Sequence, residues 1–212
     1  MSSIASQFAQ QLLEVQCIKL QPTQPFTWAS GWLSPFYCDN RKTLAYPKVR
    51  TFVKDQLAAM IRAQYPEVTA IAGVATGAIA QGALVADALD LPMCYVRAKA
   101  KDHGMGNLIE GTLPEGAKVV VVEDLISTGG SSLKAVEALR AAGFEILGMV
   151  ASFTYGFPVA EEAFRAANVT LTTLTNYEAV VETARAIGYI EESHLPLLAR
   201  WRANPSTWSP EV

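Results

Sequence analysis

The sequence contains few of the residues that build disulfide frameworks or metal cages. Three cysteines lie far apart in its 212 residues without a CxxC pair, and the histidines are limited to His103 and His194. Disulfide-rich folds and structural zinc sites need closely spaced ligands of these types. We therefore predict neither a disulfide framework nor a metal held by protein ligands alone.

Long apolar runs and an excess of positive charge are missing as well. No uninterrupted apolar segment reaches the roughly 18 residues of a membrane span, and the N-terminus lacks the basic and apolar regions of a signal peptide. The formal net charge of -3 argues against general nucleic-acid binding, which usually needs a basic face. We therefore expect a soluble, cytoplasmic protein that has neither a membrane nor a nucleic acid as a partner.

The chain does contain a regular alternation of strand and helix patterns. An amphipathic helix is predicted from Ile4 to Ile18, a second helix from Pro47 to before Pro66, and closing helices at 180–187 and 194–202. Alternating segments are predicted at 68–74, 78–89, 92–96, 118–123, 131–142, 145–153, 159–167 and 170–175. This order predicts a single α/β domain over residues 1–212, with a mainly parallel central sheet flanked by helices.

The run 119–131 is the most informative segment. Its four valines predict a strand that is buried on both faces, and Glu123 and Asp124 then precede a loop of small residues that opens a helix. Backbone N–H groups from residues 127–131 and the helix dipole would bind a phosphate, while the carboxylates would accept hydrogen bonds from ribose hydroxyls. The alternative is an acidic turn before an ordinary helix capped by the loop's own serine or threonine.

Residues 97–111 concentrate positive charge in an acidic chain. Arg97, Lys99, Lys101 and His103 lie among glycines that would let a loop of this length act as a lid. Beside a sugar-phosphate pocket, Arg97, Lys101 and His103 would stabilise the oxygens of an anionic leaving group while oxocarbenium-like charge develops on the sugar. A solvated charged loop is the alternative.

Both segments resemble motifs of a known family. The first resembles the phosphoribosyl pyrophosphate (PRPP) signature of type I phosphoribosyltransferases, and the second is similar to the catalytic loop of orotate phosphoribosyltransferases, where Arg precedes a Lys-Asp-His-Gly core. The resemblance implies transfer of the 5-phosphoribosyl group from PRPP to orotate, giving orotidine 5'-monophosphate and pyrophosphate in de novo UMP biosynthesis. It also implies Mg²⁺ bound with PRPP and a homodimer whose active sites are shared between subunits.

The resemblance also implies roles for individual residues. Those expected to be catalytic are Lys101, His103 and Asp102. Those expected to bind PRPP are Arg97, Lys101, His103, Glu123, Asp124, Leu125, Ile126, Ser127, Thr128, Gly129, Gly130 and Ser131. Those expected to bind orotate are Ser127, Tyr37 and Arg41.

The N-terminal aromatic segment resembles the hood that covers orotate in the same family. Within residues 28–41, a Ser-Gly-x-x-Ser-Pro pattern precedes aromatic residues, and residues 20–46 as a whole are expected to contribute to the hood. A flat base would stack on Phe36 or Tyr37, and Arg41 would meet its carboxylate. Packing of a small subdomain is the alternative explanation for these aromatics.

Other functions remain open at this point. A phosphoribosyltransferase for a purine or another pyrimidine would keep the phosphate loop and change the hood, whereas a non-catalytic PRPP sensor would keep only the fold. The chain also departs from many bacterial family members. Ala98 stands where they have Lys, the turn 75–78 lacks their Lys, and residues 154–156 lack their orotate-binding Arg.

Overall fold

The computed structural model describes residues 3–28, 31–99 and 108–210. The helices in these residues are α1 (Ile4–Glu14), α2 (Pro47–Gln64), α3 (Ile79–Leu89), α4 (Gly130–Ala141), α5 (Pro158–Ala166), α6 (Tyr177–Ala186) and α7 (Leu195–Ala203), with short 3-10 helices at Asn40–Ala45 and Glu192–His194. The strands are β1 (Ile18–Leu20), β2 (Phe26–Thr27), β3 (Leu33–Ser34), β4 (Phe36–Cys38), β5 (Ala70–Val74), β6 (Met93–Val96), β7 (Ile109–Glu110), β8 (Lys118–Ile126), β9 (Glu145–Thr154) and β10 (Leu171–Asn176).

Six strands form the central sheet, in the order β10-β9-β8-β5-β6-β7. Every neighbouring pair is parallel except β6 with β7. The predicted α/β fold with a mainly parallel sheet is thus confirmed. The N-terminal segment adds two small antiparallel sheets, β1 with β4 and β2 with β3.

The valines of β8 explain its central position. Val119 and Val121 pack in the apolar layer under α4 and α5, whereas Val120 and Val122 pack in the layer formed with α1, α2, α3 and α6. All four side chains are fully buried. Because successive side chains of a strand point to opposite faces, a run without polar alternation fits only a strand covered on both sides. Among the described helices, none combines the length and the apolar character needed to cross a bilayer.

The first helix is shorter than the periodicity predicts. Its N-cap is Ser3, whose hydroxyl accepts the Ser6 N–H at 3.2 Å, and the helix ends at Glu14. Gln16 then takes a left-handed backbone conformation (φ 53°), and Ile18 pairs with Cys38 across β1 and β4. The pairing with β4 therefore overrides the helical periodicity at Ile18, the last residue of the predicted helix.

Two predicted boundaries between strand and loop also differ from the structure. β8 continues three residues past Glu123, because Leu125 and Ile126 pair with the end of β9. The predicted lid loop 97–111 ends early, since Ile109 and Glu110 form β7 against β6. A two-residue edge strand is too short to show any alternation in the sequence.

Candidate active site

The acidic pair emerges where a neighbouring strand has ended. β8 pairs with β5 only as far as Val122, whereas it continues beside β9 to Ile126. Glu123 and Asp124 therefore lie beyond the last paired residue of β5, at the carboxyl edge of the sheet. In open parallel sheets, ligands collect at this edge.

Protein groups hold both carboxylate oxygens of Glu123. Its Oε1 accepts the Asp124 N–H at 3.0 Å, and its Oε2 accepts the Ser132 hydroxyl at 2.8 Å. Glu123 is only 5% exposed, and burial, followed by the neighbouring Asp124 charge, raises its pKa well above the usual range. Burial also raises the pKa of Asp124, whose side chain is only partly buried. Asp124 is thus the more accessible carboxylate.

Helix α4 begins without a side-chain cap. Its N-cap is Gly129, which has a left-handed backbone (φ 80°), and a Cβ at this position would lie 2.7 Å from the Phe164 ring. The alternative of an ordinary cap by Ser127 or Thr128 is therefore wrong. The N–H groups of the first turn and the positive end of the helix dipole remain available to an anion.

A cavity of about 320 Å³ joins these elements, and we call it the acidic cavity. It is lined by the end of β4 and the residues that follow, by the turn between β5 and α3, and by the acidic pair with the start of α4. The lining residues are Cys38, Asp39, Asn40, Arg41, Val74, Ala75, Thr76, Gly77, Glu123, Asp124, Leu125 and Ser131. The peptide bond between Ala75 and Thr76 is cis. A Cβ on Gly77 would overlap the Asp124 carboxylate, so this turn needs glycine.

A second cavity, of about 410 Å³, adjoins the first, and we call it the aromatic cavity. Cys38 and Leu125 line both cavities. The remaining lining residues of the aromatic cavity are Thr27, Trp28, Tyr37, Ser127 and Tyr155. Aromatic side chains therefore border a space that opens next to the small-residue loop, as a flat ring would require.

Comparison with known proteins identifies the family. Residues 50–186 match the model of the phosphoribosyl transferase domain. Over 208 residues the chain is 64% identical to the orotate phosphoribosyltransferase of Bacteroides thetaiotaomicron, and the match covers 98% of each chain. The chain belongs to the orotate phosphoribosyltransferase family.

Solved structures agree with this placement. Orotate phosphoribosyltransferase from Aeropyrum pernix superposes with a TM-score of 0.75 at 28% identity, covering 87% of this chain and 99% of that one. UMP synthase from Leishmania donovani superposes with a TM-score of 0.79 at 23% identity, covering 94% of this chain and 42% of that one. At 23% identity, the comparison with UMP synthase shows a shared fold and nothing more.

For this member of the orotate phosphoribosyltransferase family, the structure brings part of the predicted PRPP set together at the acidic cavity, whereas Ser127 lines the aromatic cavity. Glu123, Asp124, Leu125 and Ser131 all line the acidic cavity. Ile126 differs, because its side chain is fully buried in the core and its carbonyl accepts the Tyr155 N–H at 3.0 Å. The side chain of Ile126 therefore contributes to packing.

The basic segment is only partly described. Arg97 and Ser131 line a third cavity, of about 540 Å³, between α4 and the end of β6. The Nη1 atom of Arg97 lies 3.5 Å from the Glu110 carboxylate on β7. The three expected catalytic residues, Lys101, Asp102 and His103, lie outside the described residues, so their roles remain predictions.

The predicted orotate residues fall in two places. Tyr37 and Ser127 line the aromatic cavity together, whereas Arg41 lines the acidic cavity. Arg41 donates from Nε to Asp39 at 2.7 Å, and this hydrogen bond lowers the pKa of Asp39. Lys19 lies opposite Tyr37 in the register of β1 and β4, so Lys19 is a basic residue next to Tyr37, in addition to Arg41.

The expectation that a base stacks on Phe36 is wrong. Phe36 is fully buried and stacks on Phe153, with 5.6 Å between the ring centroids. Alternation along β4 puts the side chains of Phe36 and Tyr37 on opposite faces. Of the two residues proposed for stacking, Tyr37 is therefore the one that lines the aromatic cavity.

Sequence reasoning missed two polar residues that position the acidic pair. Asn40 is 1% exposed and donates from Nδ2 to the Asp124 carbonyl at 2.6 Å, which ties the N-terminal segment to β8. Ser132, also 1% exposed, holds Glu123. Each of these polar residues stands directly beside a predicted site residue in the sequence, which was the available signal. A polar side chain that becomes buried requires a hydrogen-bond partner.

Proposed function

We propose that this member of the orotate phosphoribosyltransferase family binds PRPP in the acidic cavity and orotate in the aromatic cavity. Orotate would attack the anomeric carbon of PRPP, the bond to pyrophosphate would break, and orotidine 5'-monophosphate would form. The observation that carries this proposal is that the two cavities are neighbours that share the lining residues Cys38 and Leu125. A sugar in one cavity and a ring in the other would meet at that junction.

The PRPP side would be bound by fixed groups. The uncapped start of α4 offers N–H donors to the 5-phosphate, and the turn at Thr76 and Gly77 offers backbone groups to the pyrophosphate. Asp124 would accept hydrogen bonds from the ribose hydroxyls, with Glu123 behind it. Catalysis would come chiefly from positioning and charge stabilisation, because these groups are oriented before the substrate arrives.

Magnesium would accompany PRPP. The donor set fits such an ion, since Asp124 offers a partly buried carboxylate and Mg²⁺ prefers hard oxygen ligands. In the described parts of the chain, no three acidic, histidine or cysteine side chains cluster as a metal site, so Asp124 would act together with substrate oxygens. When bound with PRPP, the ion would neutralise charge on the departing pyrophosphate.

The orotate side would be held by Tyr37 and Ser127. Tyr37 offers an aromatic face, and Ser127 offers hydrogen bonds at the loop shared with PRPP. We keep Arg41 as the proposed partner of the orotate carboxylate, across the junction between the cavities. Its pairing with Asp39 implies that binding of the carboxylate would compete with this ion pair. The hood formed by residues 20–46 would cover the base.

We further propose a homodimer in which the basic segment with Lys101, Asp102 and His103 acts at the partner's cavity. Family membership supports this arrangement. We also propose that the enzyme works in the reducing cytoplasm, because Cys17, Cys38 and Cys94 are all unpaired.

The first experiment measures pyrophosphate release by the purified protein with PRPP and Mg²⁺. Orotate, hypoxanthine, xanthine and uracil are supplied separately, and we expect turnover with orotate alone. Turnover with a purine instead would overturn the choice of base, and binding of PRPP without turnover of any base would identify a sensor.

The second experiment tests Lys101 and the shared site together. Lys101→Ala should bind PRPP while losing most of its turnover, because charge on the leaving group would no longer be stabilised. Mixing it with inactive Asp124→Asn should restore about a quarter of the wild-type rate per subunit, since half of the dimers are mixed and each has one intact site. Absence of any restored activity would exclude sites shared in this way.

A further inference from the structure

Tyr155 forms one wall of the aromatic cavity at a turn that directly follows β9. Its N–H donates to the Ile126 carbonyl, and Gly156 turns the chain with a left-handed backbone (φ 62°). The carbonyls of both residues accept hydrogen bonds from the far end of the chain.

The donor in these hydrogen bonds is Arg202 of α7. Its Nε donates to the Tyr155 carbonyl at 3.2 Å and its Nη2 donates to the Gly156 carbonyl at 2.8 Å. Glu178 of α6 pairs with the same guanidinium at 2.6 Å, and the Tyr177 ring lies beneath it at 5.7 Å. A planar guanidinium held by an ion pair is a rigid fork, so it fixes both carbonyls at once.

The residue before Arg202 packs against a second lining residue of the aromatic cavity, Trp28. Trp201 is fully buried, and its indole N–H donates to the Leu33 carbonyl on β3 at 3.1 Å. Its ring packs edge-on against Trp28 at 5.6 Å and against Tyr155 at 5.9 Å. Adjacent residues of one helix therefore hold Trp28 and the turn at Tyr155, and these two lining rings pack on each other with 5.4 Å between their centroids.

We infer that α7 is a structural part of the base site and that Arg202 and Trp201 are positioning residues for base binding. The inference rests on the proposed function and extends it to a helix outside the matched domain at 50–186. Neither side chain lines the acidic or the aromatic cavity, so both act through the walls. A change at α7 should consequently weaken binding of the flat ring and leave PRPP binding intact.

The test compares Arg202→Ala and Arg202→Lys with the wild type by calorimetric titration of PRPP and of orotate and by steady-state kinetics. We expect Arg202→Ala to raise the orotate Kd and KM about tenfold, with the PRPP values within about twofold of wild type. Arg202→Lys keeps the charge near Glu178 but lacks the fork, so its orotate values should fall between the two. Arg165→Ala, at an exposed ion pair on α5, is the matched control and should change neither affinity.

Thermal unfolding of each variant separates positioning from general destabilisation. Equal weakening of PRPP and orotate, or a lower Tm without any difference between the two ligands, would overturn the inference. Wild-type protein that neither binds nor converts orotate would instead overturn the proposed function, together with what rests on it. If the wild type converts another base, the same variants tested with that base decide the role of α7.

Discussion

The acidic and aromatic cavities share Cys38 and Leu125, but different forces build them. Backbone pairing along β5, β8 and β9 places the acidic pair, and buried hydrogen bonds from Ser132 and Asn40 hold it. Packing of ring side chains from the two ends of the chain shapes the aromatic cavity. The acidic cavity, proposed for the sugar, thus depends on the register of the sheet. The aromatic cavity, proposed for the base, depends on side-chain packing that can change without altering the sheet.

The energetics of the two sides follow from this construction. A buried carboxylate such as Glu123 is costly unless its oxygens are paired, so its surroundings tolerate little change. An aromatic contact contributes only about 0.5–1.5 kcal/mol beyond its buried area. Substitutions on the acidic side should therefore have the larger effects on the reaction.

The largest effect is expected for Gly77→Ala. The added methyl group would occupy the position of the Asp124 carboxylate, and a displacement of about 1 Å at a reacting group can cost about 100-fold in rate. We expect kcat/KM for PRPP to fall by roughly that factor, measured by pyrophosphate release. Gly188→Ala, with open space around its Cβ, should lower stability by about 1 kcal/mol and keep the rate. Equal rates for Gly77→Ala and wild type would show that Asp124 needs no fixed position.

A smaller and more selective effect is expected for Tyr37→Ala. Loss of the aromatic face should raise the orotate KM about tenfold, with little change in the KM for PRPP. Tyr189→Ala, at a half-exposed position away from both cavities, provides the control. If PRPP binding weakens as much as orotate binding, the two cavities are not separable in the way their construction suggests.

The smallest effect concerns stability and pH. Because burial raises the pKa of Glu123 above its unfolded value near 4.5, the protonated form is favoured in the folded protein. Glu123 therefore makes its full contribution to the free energy of unfolding below pH 4.5. That contribution is lost as pH rises through the pKa that Glu123 has in the folded protein. The unfolding free energy of Glu123→Gln, followed by urea titration from acidic to alkaline pH, should therefore improve relative to wild type as pH rises. A constant difference across that range would mean that Glu123 keeps an ordinary pKa.

Much of the fold could be predicted because its signals are local. The valines of β8 indicate a strand buried on both faces, and periodicity locates the helices to within a few residues. The end of β8 could not be found in this way, since it depends on partners in β9 that are about 28 residues distant. The edge strand β7 was missed because two residues carry no pattern.

The two halves of the site were predictable to different degrees. Asp124 and the loop before α4 form a contiguous motif, so their chemistry is legible in the sequence. The choice between Phe36 and Tyr37 was not, because it depends on which face of a three-residue strand is covered. Arg202 and Trp201 gave no signal, since they act on segments 46 and 168 residues away.

The anchoring of β3 by Trp201 has a consequence for synthesis of the protein on the ribosome. The chain grows from its N-terminus, and everything that lines the acidic cavity has been translated once residue 131 is made. The hydrogen bond to Leu33 must wait for residue 201, about 70 residues later. The partner strand β9, which places the acidic pair, is complete at residue 154. The parts of the sugar-phosphate side are thus all made well before α7, which fixes the base side.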